Sequence, residues 1–495
     1  METIIFLIIL PLFTAFSIGL LRIFNTNLIK KWVFVSSILH FILASLTFKE
    51  VLSGPIVYEL GNWDSSLGIA LVADRLSVLL VLLSSFMFLM AVVYSFIYIK
   101  LHEFKYYVIL NLLLVGLTGM FLTGDLFNLY VFFEITSITS YALVAIKEEP
   151  ESFEGAFKYL IMGVLSGTFV LLAIILIYQS TGALNIAQVA NVFSDVPYLI
   201  RYAVLSLFTV GFGIKFALIP LHAWLPDAYE GAPTPFNALS SALVIKSSLY
   251  AFFKMIYLLF GVEFLAAGFG EFLIYLAVIT LLVAHILAFQ QKNIKRILAY
   301  SSIAQIGYIV IAFALGTEAG FQAGSFHIIN DAFMKAALFF ALGIFLYYYK
   351  AKNIEDVKGI GFKLPLISAM FTIAALAMVG LPPFNGFISK WLILTSVLEA
   401  EYLFAVVAIL IGSVLSLGYY LKIIRSLYTT NDELTLANDK LDIKNVSFKF
   451  KLPTILLASL CLVLGLLPQL TLFMVKDISG FLLFAENYIS ILLGG

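Results

Sequence analysis

The sequence predicts an all-α polytopic membrane protein of about 14 transmembrane helices. Three observations carry that prediction. Of 495 residues, 62% are hydrophobic and 12% charged, against roughly 25% charged in soluble domains. Apolar runs long enough to cross a bilayer recur along the whole chain, and Lys and Arg collect in alternate connections. Open sheets cannot satisfy their backbone in lipid, and the runs are longer than the alternating strands of a barrel, so the spans are helices. The 47 Phe and 25 Tyr suit lipid-facing surfaces and interfacial belts.

Residues 1–105 hold spans at 3–21, 32–48 and 76–98, with an external loop before the third. Met1-Glu2-Thr3 lacks the basic start of a cleavable signal, so the first run reads as a retained helix. Residues 106–260 hold 106–124, 126–146, 159–178, 202–226 and 236–260, and residues 264–428 hold 264–290, 297–315, 322–348, 364–398 and 402–428. A cytoplasmic loop, 429–452, leads to residues 453–495, with a last span at 453–475 and an amphipathic tail, 478–493, left unassigned. Twenty of the 29 Lys and Arg fall after odd-numbered spans, from Arg22 to Lys451. Five (Lys49, Arg75, Arg201, Lys254 and Lys476) fall on the other side. By the positive-inside rule this supports the count and places both termini outside the cytoplasm, in a multi-pass protein of the cell membrane.

The four remaining lysines, Lys215, Lys246, Lys335 and Lys390, lie well inside apolar runs, and Glu134 joins them. A charge at mid-membrane costs about 2.5–3.5 kcal/mol, so such residues read as functional by default. The alternative, snorkelling or static pairing, suits one isolated Lys better than a set of five charges. A buried Lys beside a switchable acid gains or loses its proton as the pair forms and breaks, which moves a proton without redox chemistry.

Helix breakers accompany two of these lysines: Pro220 follows Lys215, and Gly380-Leu-Pro382-Pro383 precedes Lys390. The run 364–398 is too long for one straight span. Two interrupted helices in corresponding places of two halves point to inverted five-helix repeats, 106–260 and 264–428, around a midplane ion site. His327, Asp331 and Lys335 are spaced four apart, so they share a helix face, and Asp331 can pair with Lys335 in the favoured acid-first order. His327 titrates in the range a relay needs. His222 sits by the first breaker, where it can gate protons, whereas His40 and His285 read as packed residues. Asp227 and Glu230 read as part of a connecting loop and helix start; Ser301, Ser302 and Gln305 can support a water wire or join helices.

Composition also excludes. Twenty-nine acids balance 29 bases, leaving no surplus to neutralise nucleic-acid phosphates. Cys461 stands alone, so the chain supplies neither a disulfide nor the thiolates of an iron–sulfur cluster. No cofactor, metal site or catalysis is expected of this chain by itself; a redox centre would belong to another subunit.

Several segments carry a resemblance. They are Thr123-Gly-Asp-Leu-Phe-Asn-Leu-Tyr-Val-Phe-Phe-Glu134; Lys215 with Pro220-Leu-His-Ala-Trp-Leu-Pro-Asp-Ala-Tyr-Glu-Gly-Ala-Pro-Thr-Pro235; Lys295 through Tyr308; Phe333-Met-Lys335; and Gly380-Leu-Pro-Pro through Lys390. Over roughly 105–430 the chain resembles the antiporter-like family shared by respiratory complex I, Mrp-type cation/proton antiporters and membrane-bound hydrogenases. The stretch Glu59 to Asp74 is similar to the D subunit of Mrp antiporters and its hydrogenase-complex homologue.

The resemblance implies a fourteen-helix core with interrupted seventh and twelfth helices, Glu134 paired with Lys215, Lys246 and Lys335 continuing a polar axis, and Lys390 facing the exit or the next subunit. It also implies partner membrane subunits, including antiporter-like homologues, and leaves a redox module and Na⁺ transport beside H⁺ open. His327 matches a family histidine. The family often has His at the position of Asp331, whose charge here bears on Lys335. A quinone-site subunit and a free-standing transporter are the alternatives. The first lacks a dinucleotide fingerprint and cluster thiolates, and the second would not need four buried amines.

Overall fold

The computed structural model describes residues 3–24, 26–63, 68–429, 446–476 and 478–493. Residues 430–445, most of the predicted cytoplasmic loop, and 64–67, within the Glu59 to Asp74 stretch, lie outside them. The chain opens with α1 (Thr3–Phe24) and α2 (Thr26–Val51). The predicted external loop contains a two-stranded antiparallel sheet, β1 (Ile56–Glu59) and β2 (Ala70–Ala73), with Ile56 opposite Ala73. Its first strand, Ile-Val-Tyr-Glu, carries the β-branched and aromatic residues that favour extended backbone.

Next come α3 (Arg75–Tyr98), α4 (Glu103–Leu122), α5 (Leu126–Ala145), α6 (Pro150–Thr181) and the short α7 (Ile186–Val192). Their starts are written in the sequence. Asp74, Asp125 and Asn185 cap α3, α5 and α7 through side-chain oxygens, and Pro150 occupies the first turn of α6, where its missing N–H costs nothing. α8 (Tyr198–Lys215) stops at the first predicted breaker and resumes as α9 (Trp224–Gly231).

A long stretch follows: α10 (Thr234–Leu239), a π-helical turn at Ser240–Val244, α11 (Ile245–Met255), a second π-helical turn at Ile256–Phe260, α12 (Gly261–Phe264) and α13 (Gly270–Gln290). α14 (Ile294–Ala314) and α15 (Glu318–Tyr349) lead through the short α16 (Ile360–Lys363) to α17 (Pro365–Val379), the second breaker, and α18 (Asn385–Glu399). α19 (Leu403–Leu427), α20 (Phe448–Leu466), α21 (Gln469–Val475) and α22 (Ala485–Leu493), within the amphipathic tail, complete the described chain.

Twelve helices among the described residues are long and apolar enough to cross a membrane, or 13 if the bent pair Glu355–Lys363 and Pro365–Val379 is one span. The difference from 14 has two sources. The stretch Thr234–Gln290 contains two predicted spans, and its 57 residues would reach about 85 Å as one straight helix; Gly261 and Gly268, at φ +79° and +124°, interrupt it. Conversely, the run 364–398 falls into two helices of 15 residues each, both shorter than a crossing.

α14 and α15 form the centre, since every residue of their apolar windows is buried. On α1, α2, α6, α19 and α20 that share is 39%, and exposed Phe16, Ile23 and Val414 show the apolar surface such helices turn outward.

Candidate functional site

The first breaker delivers Lys215. It ends α8, and Trp224 from α9 folds back so that its indole Nε1 donates to the Ile214 carbonyl at 2.8 Å. Lys215 is 4% exposed; its Nζ donates to the Tyr141 hydroxyl at 2.9 Å and lies 4.7, 4.8 and 5.4 Å from the ring centroids of Tyr141, Tyr159 and Phe133. A cation over three aromatic faces is held electrostatically without a counter-ion. This corrects the expected Glu134–Lys215 contact pair. The two charges feel each other at range, but Tyr141, two turns along α5 from Glu134, holds the ammonium instead. The Glu134 carboxylate fills the space on α6 that a Cβ at Gly167 would occupy.

In the middle, Lys246 on α11 forms an ion pair with Asp331 on α15; the two side chains are 2% and 1% exposed. The expected Asp331–Lys335 pair does not form. α15 is buried all round, so position 331 meets a cation from another helix, while Lys335 donates to the Leu298 carbonyl of α14 at 3.2 Å. A polar string links the two lysines. Lys246 donates to the Ser241 carbonyl at 2.6 Å, the hydroxyls of Ser241 and Ser302 meet at 2.8 Å, and Ser302 donates at 2.8 Å to the same Leu298 carbonyl that accepts from Lys335.

Across the second breaker, Lys390 turns inward to the last carbonyls of α17, Met378 at 2.9 Å and Val379 at 3.1 Å, where a helix C-terminus favours a cation. Its Nζ is 4.8 Å from the Tyr308 ring centroid. His327 shares the buried face expected of it, yet its ring nitrogens meet Gln305 Oε1 at 2.9 Å and Ser389 Oγ at 3.0 Å. It therefore adjoins Lys390 through Ser389 rather than working through Lys335.

His222 is half-buried at the first break, its ring 6.2 Å from that of Tyr300, and it contacts none of the four lysines. His40 and His285 are packed residues, His40 between the Leu7 carbonyl and Ser85 and His285 against Tyr419. Asp227 and Glu230 lie on the helix start expected after the connection, α9, which is anchored by charge: Arg296 Nη1 reaches Asp227 at 2.6 Å and Glu230 at 2.9 Å, and Lys158 reaches Asp227 at 2.7 Å. Lys295 and Lys254, counted from the sequence as boundary charges, are 6% and 1% exposed. Sequence reasoning also missed Tyr141, Tyr308 and Ser389, whose polar atoms carry no signal until the helices are assembled.

Residues 123–416, which contain Glu134, Asp331, His222, His327 and the four buried lysines, match the family model for NADH:quinone oxidoreductase/Mrp antiporter membrane subunits. The chain belongs to that family. It is 35% identical to the N subunit of the NADH-quinone oxidoreductase of Desulforudis audaxviator over 433 residues, 86% of each chain. It is 31% identical to the D subunit of the Na⁺/H⁺ antiporter of Alkalihalophilus pseudofirmus over 468 residues, 93% of each. In three dimensions it is similar to a chain of the membrane-bound sulfane sulfur reductase, an archaeal respiratory membrane complex, with TM-score 0.92, 33% identity and 99% of both chains covered. As a member of this family the chain is an antiporter-like membrane subunit, of the kind found in multisubunit Mrp-type, complex I-like and sulfur-reducing assemblies.

Proposed function

We propose that this chain translocates protons along Glu134, Lys215, Lys246, Asp331, Lys335, His327 and Lys390 within a multisubunit complex of the cytoplasmic membrane, its N-terminus outside. The observation that carries the reading is four lysines at most 6% exposed, strung through the centre, with one carboxylate among the described residues, Asp331, in contact with any of them. A set of static structural pairs would match each cation with an acid. Here three ammonium groups rest on hydroxyls, rings and carbonyls, which hold a proton loosely enough to pass it on.

In the proposed cycle a neighbouring subunit moves Glu134 relative to Lys215, and the displaced charge drives a proton toward Lys246, Lys335 and Lys390 in turn. Moving one charge against 100 mV takes about 2.3 kcal/mol, which the displacement of Glu134 relative to Lys215 has to supply. The cargo on this axis is H⁺, because Na⁺ would have to pass four ammonium groups. His222 at the first break serves as a gate.

The same reading takes 106–260 and 264–428 as inverted repeats. Leu126 N donates to Leu184 O and Ile186 N to Gly124 O; Ile294 N donates to Lys352 O and Ile354 N to Lys292 O. Each second partner lies 168 positions after its counterpart (126 to 294, 184 to 352, 186 to 354, 124 to 292). The first tie adjoins β2 at the start of α3, and the second lines a cavity with Tyr98 at its end, so equivalent ties occupy opposite faces.

The test is proton uptake by vesicles carrying the complete complex. Lys215→Ala and Glu134→Ala should each abolish it with the complex assembled, and uptake that survives both rules the path out. Mild-detergent isolation identifies the drive: cysteine-cluster partners mean electron transfer, their absence means an existing ion gradient, and a chain isolated alone contradicts the multisubunit reading.

A further inference from the structure

Beyond the path itself, and resting on that reading, we propose that Asp74 and Lys254 form a proton-release branch that leaves the path at Lys246, joining the buried lysine axis to a surface cavity on the extracytoplasmic face. Lys246, Tyr250 and Lys254 are four apart in succession on α11, so they climb one side of a helix over about 12 Å. Lys254 is 1% exposed, donates to the Thr123 carbonyl at 2.8 Å, and has no other hydrogen-bond partner among the described residues. The Tyr250 and Tyr488 rings lie 5.9 and 5.7 Å from its Nζ.

The acid on this side is Asp74, 2% exposed and without a contact ion pair: Thr123, whose carbonyl holds Lys254, bridges Leu71 of β2, three residues before Asp74. Its carboxylate is divided in function. Oδ1 caps α3 by accepting from Leu76 N at 2.8 Å and Ser77 N at 3.1 Å, whereas Oδ2 is buried and has no hydrogen-bond partner among the described residues. A cap needs one oxygen, and a neutral Asn or Ser supplies it equally well. A buried carboxylate with a spare oxygen facing a half-satisfied ammonium is costly as scaffolding and suited to proton exchange.

Asp74 also lines a cavity of about 310 Å³ with Ser53, Arg75 and Asn487, and exposed Ser53 and Asn487 mark its mouth. In the transfer, the Lys254 side chain swings from the Thr123 carbonyl to Asp74 and its ammonium gives a proton to Oδ2, Asp74 releases it to water in the cavity, and neutral Lys254 swings back to be reprotonated from Lys246 along the α11 face that carries Tyr250. Charge is conserved at each step.

The experiment uses the complete complex in vesicles. Asp74→Asn keeps the cap and Lys254→Met keeps the side-chain volume, so both should assemble, yet each should lower proton transport roughly a hundredfold, the scale of a lost acid–base group. A third variant reads sidedness. In Ser53→Cys, a membrane-impermeant cationic thiol reagent should block transport when added on the extracytoplasmic face and not when added on the other; Cys461 is buried. Transport above half of wild type in Asp74→Asn or Lys254→Met, with Lys215→Ala inactive, overturns the release site and leaves the path standing. A reagent that blocks from the opposite face, or from neither, also overturns it. Transport that survives Lys215→Ala overturns the path.

Discussion

Asp331 pairs with Lys246 of a neighbouring helix, not with Lys335 one turn along its own. One of the four axial cations is thereby neutralised in place, while the other three have no carboxylate contact among the described residues. Removing one member of such a pair leaves the other uncompensated, at about 3–5 kcal/mol. Asp331→Asn and Lys246→Met should each lower the thermal denaturation midpoint of the detergent-solubilised complex. The double variant should recover most of that loss, because apolar or neutral replacements of both partners pack tolerably, and it should remain inactive in proton transport. Recovery of transport along with stability would reduce the pair to scaffolding.

Tyr141→Phe separates the two ways in which Lys215 is held. The ring stays and the 2.9 Å hydroxyl contact goes. A hydrogen bond to a charged group is worth about 1.5–3 kcal/mol, so initial transport rates should change tenfold or more while assembly stays intact. An unchanged rate would show that the rings alone position the ammonium.

Gly167 makes the complementary test at Glu134. A Cβ there would meet the carboxylate of Glu134 rather than backbone, so Gly167→Ala displaces a side chain that can yield. The expected result is a complex that assembles normally, with transport reduced toward the level of Glu134→Ala; a wild-type rate would mean that the position of that carboxylate is immaterial.

The four lysines and Glu134 were legible because each stands well inside a long apolar run where charge is scarce, and the two broken helices because Pro220 and Gly380 to Pro383 stand beside them. The pairing was not. Helical spacing compares positions within one helix, so it offered Lys335 to Asp331, while the actual partner lies 85 residues away in sequence. Lys254 was misread for a related reason: near the end of an apolar run, a sequence cannot distinguish a helix end at the membrane boundary from one covered by Tyr488 and Asp74. Of the polar groups that join the axis, Ser302 and Gln305 were visible with Ser301 as groups that could join helices, whereas Ser241 and Ser389 look like any other small polar residue until packing brings them to 2.8 Å from Ser302 and 3.0 Å from His327.

Arg296, in the first turn of α14, links that end of the bundle to the first break. It holds Asp227 and Glu230 on α9, and Trp224 at the start of α9 stacks on Tyr159 at 3.9 Å, the ring that also faces Lys215. The charges are partly exposed, with Arg296 at 27% and Asp227 at 21%, so solvent screens them and the pair contributes about 1 kcal/mol or less to stability. Arg296→Gln should therefore leave the complex folded but loosen α9, slowing transport several-fold through the Trp224–Tyr159 stack. Added salt should slow the wild type toward the variant and barely affect the variant itself, because the screened interaction is already gone. Equal salt sensitivity in the two proteins would place the ionic-strength effect elsewhere and detach this anchor from Lys215.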